Sequence, residues 1–193
     1  ITENKISNCY NEGNIDVTSN IDNIYIGGIK AYGDGTIVNC YNTGNIKNKM
    51  NPTIEFYAYV GGILGTSNSY SGISISDCYN QGEINNFVEN NCTSINNYSY
   101  VGGIAGAKYD GLVSNTYNSG SIYNNVTNHE NENLGTGAIY GCITTVNGEN
   151  NYYLSSSDIM GENIIQTATI PVTDEYMKTE DFYKKLSGEN SSW

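Results

Sequence analysis

A ten-residue pattern occurs four times along this chain. Ile6-Ser7-Asn8-Cys9-Tyr10-Asn11-Glu12-Gly13-Asn14-Ile15 is repeated from Ile37 to Ile46 and from Ile75 to Ile84. With Thr116 in place of the cysteine it occurs again from Val113 to Ile122. A pattern recurring every ~30–40 residues marks a stacked array, in which each repeat buries its apolar positions against the next. Every residue type that recurs must then tolerate a copy of itself directly above and below.

A second motif alternates with the first. Tyr25-Ile26-Gly27-Gly28-Ile29, Tyr59-Val60-Gly61-Gly62-Ile63 and Tyr100-Val101-Gly102-Gly103-Ile104 are followed by a degenerate copy, Thr136-Gly137-Ala138-Ile139-Tyr140-Gly141. Each leads into a turn signal: Asp34-Gly35, Ser71-Gly72, Asp110-Gly111 and Asn147-Gly148. One unit therefore reads as a strand at V-G-G-I, a turn, a strand at I-S-N-C-Y, a turn at N-x-G and a short strand at the next isoleucine. The glycine after Tyr-Asn-x suits a corner with positive φ. The asparagine before it suits an Asx turn, and stacked amides bond from coil to coil. The glycine pair within an apolar strand indicates close backbone approach or a bend. Alternation groups Ile6, Asn8 and Tyr10 against Ser7, Cys9 and Asn11. Neither group is cleanly apolar, so both faces remain open as the core side. The segments Asn14–Ile24, Lys47–Ala58, Asn85–Ser99 and Tyr123–Asn133 are polar and unequal in length, and read as loops leaving the coil on one side.

The expected fold is all-β: a parallel β-solenoid of about four to five coils over residues 1–154, followed by a small, partly helical capping segment over 155–193. Thr173 and Thr179 each precede acidic residues, as helix N-caps do. Phe182 and Leu186, four apart, share one helix face. Gly188 fits a C-cap, and Trp193 an apolar anchor for the cap. Coils of a parallel stack lie ~4.8 Å apart, so Cys9, Cys40 and Cys78 should form a ladder. Their side chains run parallel, which favours free, packed thiols over disulfides.

Charge narrows the functional classes. The net charge is −12, all eight basic residues are lysines, and arginine is absent. No basic cluster is available for phosphate contacts, which argues against nucleic acid and against anionic membrane surfaces. No apolar run has the length of a membrane span, so no membrane insertion is expected of this fragment. The chain opens on Ile1 and almost at once on a repeat, as a piece of a longer protein would, so missing targeting signals carry no information.

Taken together, V-G-G-I-x-G followed by I-S-N-C-Y-N-x-G resembles the GLUG-motif repeats of bacterial cell-surface and secreted proteins, with copies spanning most of residues 6–154. The resemblance implies a parallel β-helix-like region of a large extracellular or surface-bound protein. It includes non-catalytic parts of IgA-protease-like metallopeptidases, with flanking domains in the parent protein. It implies no catalytic residue, and H-E-x-x-H is absent from the sequence.

The chemistry-bearing residues point the same way. Glu12, Glu55, Glu83 and Glu89 form no recurring pair, and Asp34 and Asp110 sit in Asp-Gly turns. His129, beside Glu130 and Glu132, is the sole histidine, and no C-x-x-C pair accompanies it, so no catalytic, cofactor-binding or metal-binding residue is expected. Tyr10, Tyr41, Tyr79 and Tyr117 are the candidate ligand contacts, because phenol rings stack on pyranose faces while neighbouring amides bond hydroxyls. The competing reading is that the four rings stack on one another. The expected function is a non-enzymatic spacer or adhesin-type surface, with a host glycan or protein as partner. The alternative is a polysaccharide-active β-helix, or a substrate-positioning part of a larger peptidase.

Overall fold

A computed structural model describes residues 4–68, 72–94, 96–128, 133–145 and 147–187. Gly188, Trp193, His129, Glu130 and Glu132 lie outside the described residues. Every strand pairing among the described residues is parallel, and the chain winds about four times through four sheets. Successive turns are offset by 31, 38, 38 and 35 residues. The first sheet carries the Cys-Tyr motif, in Lys5–Ser7, Gly35–Val38, Ile73–Asn80, Val113–Asn118 and Asn151–Leu154. The second runs through Ile15–Ser19, Ile46–Met50, Ile84–Glu89 and Ile122–Thr127. The third holds the V-G-G strands Asn23–Gly27, Tyr57–Gly61, Tyr98–Gly102 and Leu134–Gly137. The fourth, Lys30–Tyr32, Leu64–Thr66, Ala105–Lys108 and Tyr140–Ile143, returns the chain to the first. Pairing continues past Leu154, where Ile159–Met160, Ile164–Ile165 and Ile170–Val172 add a partial fifth turn.

The second sheet corrects the expectation of loops. The variable segments begin as strands of five or six residues, alternating inward and outward. Among the described residues, 20–22, 51–56, 90–94, 96–97, 128 and 133 lie between the strands of that sheet and those of the next.

The face of the Cys-Tyr strand is decided by one backbone feature. Asn8, Asn39, Asp77, Asn115 and Asn150 all have φ between 52° and 57°. A single left-handed residue shifts the period-2 alternation by one place. Ile37, Ile75 and Val113 point inward before it, and Cys40, Cys78 and Thr116 point inward after it. Tyr41, Tyr79 and Tyr117 are thereby turned outward. Asparagine tolerates this conformation better than most residues, and here its amides also bond between turns: Asn150 Nδ2 donates to Asn115 Oδ1 at 3.1 Å, and Asn115 Nδ2 to Asp77 Oδ1 at 3.2 Å. The left-handed region costs a residue with a Cβ about 1–2 kcal/mol. Asn115→Ala is therefore expected to lose about that much stability in urea denaturation, and Asn115→Gly less, since glycine removes the strain but breaks the same amide bonds. Equal losses would place the cost in the amides instead.

The Tyr-Asn-x-Gly glycines contradict the φ expectation. Among the described residues the positive-φ glycines are Gly33, Gly35, Gly111, Gly148 and Gly161, three of them in the Asp-Gly and Asn-Gly turns. Gly44, Gly82 and Gly120 are required for another reason. A Cβ on each would lie 2.0–2.1 Å from the carbonyl oxygen of the equivalent glycine one turn earlier.

The interior has two apolar compartments. Ile46, Met50, Ile84, Val88, Val60 and Val101 fill the space between the second and third sheets. Ile37, Ile75, Cys78, Leu64, Ile104 and Tyr140 fill that between the first and fourth. At one place the backbones approach so closely that only Gly and Asn fit. A Cβ on Gly28, Gly62 or Gly103 would lie 2.5–2.8 Å from Cγ of Asn42, Asn80 or Asn118. The two motifs alternate in sequence because they meet in space. In every sheet equivalent positions of successive turns pair in register.

Two helices follow, α1 (Asp174–Met177) and α2 (Glu180–Ser187). Thr173 Oγ1 accepts from Tyr176 N at 3.2 Å and Thr179 Oγ1 from Phe182 N at 3.1 Å, as N-caps do. Phe182 and Leu186 are buried in a separate cluster with Tyr152 and Val172, against Tyr117. The helices thus cover the outer face of the first sheet at its C-terminal end, and Phe182 meets Tyr117 edge-on at 6.2 Å.

Candidate functional site

Three outward faces carry aromatic residues, and they differ in what is left for a ligand. On the first sheet Tyr10, Tyr41, Tyr79 and Tyr117 form one column. Their ring centroids are 5.2, 4.9 and 4.9 Å apart, with interplanar angles of 9°, 5° and 4°. The faces a sugar would stack upon are turned toward each other, leaving edges and hydroxyls for solvent. Tyr10, 62% exposed, keeps one face open at the end of the column, while Tyr117 is closed off by Phe182.

The third sheet carries a second aromatic group. Tyr25 stacks on Tyr59 and Tyr59 on Tyr100 at 5.6 and 5.4 Å, and Tyr57 stacks on Tyr98 at 5.1 Å. Tyr32 packs on Tyr25, and the Tyr109 hydroxyl donates to that of Tyr59 at 3.3 Å. Sequence reasoning missed this column, although Tyr25, Tyr59 and Tyr100 open successive V-G-G copies. Burial raises the phenols of Tyr59, Tyr100 and Tyr117, and the hydrogen bond to Glu55 at 2.8 Å is the main force pushing Tyr57 up to about 12. A raised folded value means that the neutral phenols contribute fully below the unfolded value of about 10. That contribution is lost as pH rises from there towards the folded values. Ultraviolet titration of phenolate should therefore show a tyrosine fraction that ionises only with unfolding. A single reversible step at the ordinary phenol range would contradict it.

Beneath these faces buried amides bond from turn to turn, although Asn48 Oδ1, at the start of its column, has no hydrogen-bond partner among the described residues. Asn42 Nδ2 donates to Asn80 Oδ1 at 2.7 Å and Asn80 Nδ2 to Asn118 Oδ1 at 2.8 Å, each also closing an Asx turn onto Gly44 or Gly82 O at 2.8 Å. A second amide column, Asn48, Asn86 and Asn124, runs inside the second sheet with spacings of 2.7 and 2.8 Å, joined to Ser99 Oγ.

The five cysteines are free, with Cys40 and Cys78 buried and Cys9 exposed. Burial holds the Cys78 thiol well above the usual range. Donation from Cys78, assisted by the Cys9 amide at 3.4 Å, pulls Cys40 downward. Lys108 is fully buried, its ammonium donating to Thr145 O at 2.9 Å, and burial lowers its pKa. These groups tie turns together. Glu12 accepts from Tyr41 and Glu55 from Tyr57, and Asp110 Oδ1 accepts from the next amide at 2.7 Å in its turn. Among the described residues no group of three His, Cys, Asp or Glu side chains is placed to hold a metal.

The second sheet differs from the other two aromatic faces. Its outward residues do not repeat: Asp16, Lys47, Asn85 and Tyr123 occupy one column, and Thr18, Lys49, Phe87 and Asn125 the other. At its C-terminal end lies a cleft of about 450 Å3. No family model matches the chain, and neither a curated protein nor a solved structure matches it.

Proposed function

We propose that this chain is a non-enzymatic repeat region of a bacterial surface or secreted protein, acting as a stiff spacer with an adhesin-type binding surface. The observation that carries the reading is the straight register of like side chains. Tyr, Asn and Gly of one turn lie on Tyr, Asn and Gly of the next, so that bending the stack would break aromatic and amide contacts together. The resemblance to GLUG-motif repeats supports the extracellular setting, with a host glycan or protein as partner. Outward tyrosine hydroxyls and asparagine amides supply neutral, hydrogen-bonding contact chemistry, and the acidic balance of the chain disfavours polyanions.

Beads coated with the chain, passed over immobilised mucin, test the proposal. The expected result is retention of the beads with no release of new reducing ends or peptide. Release of either would favour the polysaccharide-active or peptidase-accessory alternative, and beads that wash through would overturn the adhesive role.

A further inference from the structure

Resting on that adhesive reading, we infer that the C-terminal cleft on the outer face of the second sheet is a binding site for a neutral oligosaccharide. Its walls are Asn85, Phe87, Tyr123, Asn125, Met160 and Glu162. Asn85 pairs in register with Tyr123, and Phe87 with Asn125, so two amides and two rings form a diagonal two-by-two array. Every second residue of a strand faces the same side, which brings all four side chains to solvent together.

The array differs from the rest of the solenoid in what its groups lack. Many asparagines of the repeat spend their amides on the neighbouring turn, as Asn11, Asn39, Asn42, Asn80 and Asn86 do. Among the described residues the amides of Asn85 and Asn125 have no hydrogen-bond partner. The rings differ likewise. The tyrosines of the first and third sheets cover one another's faces, whereas no aromatic ring stacks on Phe87 or Tyr123 among the described residues. The Tyr123 hydroxyl is fixed by donation to Asp158 Oδ2 at 3.0 Å, which holds the ring in place.

This combination selects a ligand class. Rings with no aromatic partner suit the apolar faces of pyranoses, and carboxamides, with donors and an acceptor on one group, suit vicinal hydroxyls. The volume lies within the range of sites for small molecules and accommodates a few sugar rings. Glu162 on the wall and the net charge of −12 oppose anionic sugars. The array arises only where the turns differ. The equivalent outward positions on the preceding turn are Lys47 and Lys49, which present cations instead of ring and amide.

The test uses the whole chain, labelled with nitrogen-15, against maltohexaose, cellohexaose, chitohexaose, mannohexaose and xylohexaose, with a hexamer of galacturonic acid as the charged control. At least one neutral probe should shift the side-chain amide signals of Asn85 and Asn125. Tyr123→Ser and Asn125→Ala should each weaken that binding at least tenfold, with Tyr41→Ser changing it less than twofold. Thermal unfolding of each variant controls for folding, and Phe87→Ser stands in for Tyr123→Ser if the latter is not folded. No shift with any neutral probe, preference for the acidic hexamer, or loss of binding in Tyr41→Ser alone would overturn the inference. Beads that adhere to mucin while no hexasaccharide binds would refute the cleft and leave the adhesive reading intact. Binding in the cleft without bead retention would refute the adhesive reading and leave the cleft.

Discussion

Gly82→Ala is expected to cost about 3 kcal/mol or more, while Gly13→Ala, at the same place in the same motif, is expected to change stability by less than about 0.5 kcal/mol. A Cβ on Gly82 would lie 2.0 Å from the Gly44 carbonyl oxygen, 2.7 Å from its carbon and 3.0 Å from Asn42 Nδ2. Two of these are backbone atoms of a short turn pinned between the ladder strands Tyr41–Asn42 and Ile46–Met50, so neither can rotate away. Relief requires the turns to separate locally, which stretches Asn42 Nδ2 from Asn80 Oδ1 and the Gln81 N to Asn42 O bond of 2.9 Å. Overpacking within a rigid core costs about 1–3 kcal/mol, and the strained hydrogen bonds add to it. At Gly13 the nearest atom to a new Cβ is Asn11 Oδ1 at 3.8 Å, an ordinary contact. Neither glycine has a positive φ, so the backbone conformation adds no penalty at either site. Urea denaturation of the two variants decides the matter. Similar losses at both positions would mean that the glycine serves the turn itself rather than the spacing between turns.

That contrast shows what was legible in the sequence and what was not. The four copies of I-x-N-C-Y-N-x-G sufficed to predict parallel stacking, the Asx amide ladder and the turn at each Asp-Gly, because those features repeat with the coil. The threonine caps of α1 and α2 were equally readable, since an N-cap is a local signal. The role of Gly82 was not, because a positive φ and a close approach demand the same residue. The core side of the Cys-Tyr strand was hidden for a similar reason. One left-handed asparagine shifts the alternation, and nothing in a period-2 count marks Asn39 as the place. The second sheet was concealed by polarity. In Ile46-Lys47-Asn48-Lys49-Met50 the middle inward residue is Asn48, and it is buried only because Asn86 receives its amide in the next turn. A buried polar residue bonded to a copy of itself looks, in a single repeat, like a loop. The candidate contacts Tyr10, Tyr41, Tyr79 and Tyr117 were found by their recurrence, and recurrence is also what turns their faces toward each other. The array at Asn85, Phe87, Tyr123 and Asn125 is invisible to any search for repeats, since it exists where two turns disagree.

Asn80→Asp should be a severely damaging isosteric change, and its damage should depend on pH. Asn80 is fully buried, donates through Nδ2 to Gly82 O and Asn118 Oδ1 at 2.8 Å each, and accepts from Asn42 Nδ2 at 2.7 Å. An ionised aspartate keeps the accepted bond but sets a second oxygen against two acceptors. Each orphaned buried group costs about 1–3 kcal/mol, and an unpaired buried charge several kcal/mol more, so a loss of about 4–6 kcal/mol is expected at neutral pH. Protonation reduces the loss, because a carboxylic acid can donate to one of the two acceptors. Burial and facing acceptors both favour the neutral form, so the folded state should hold the proton more tightly than the unfolded chain, whose aspartate titrates near about 3.9. For a folded value raised in this way, the difference from the parent chain is smallest below about pH 4. It grows as pH rises towards the folded value and is constant above it. Urea denaturation of Asn80→Asp and the parent chain across that interval, compared at each pH, removes the contribution of the other carboxylates. A difference independent of pH, or a loss below about 1 kcal/mol at neutral pH, would mean that solvent reaches the amide column and that the stack is looser than its register implies.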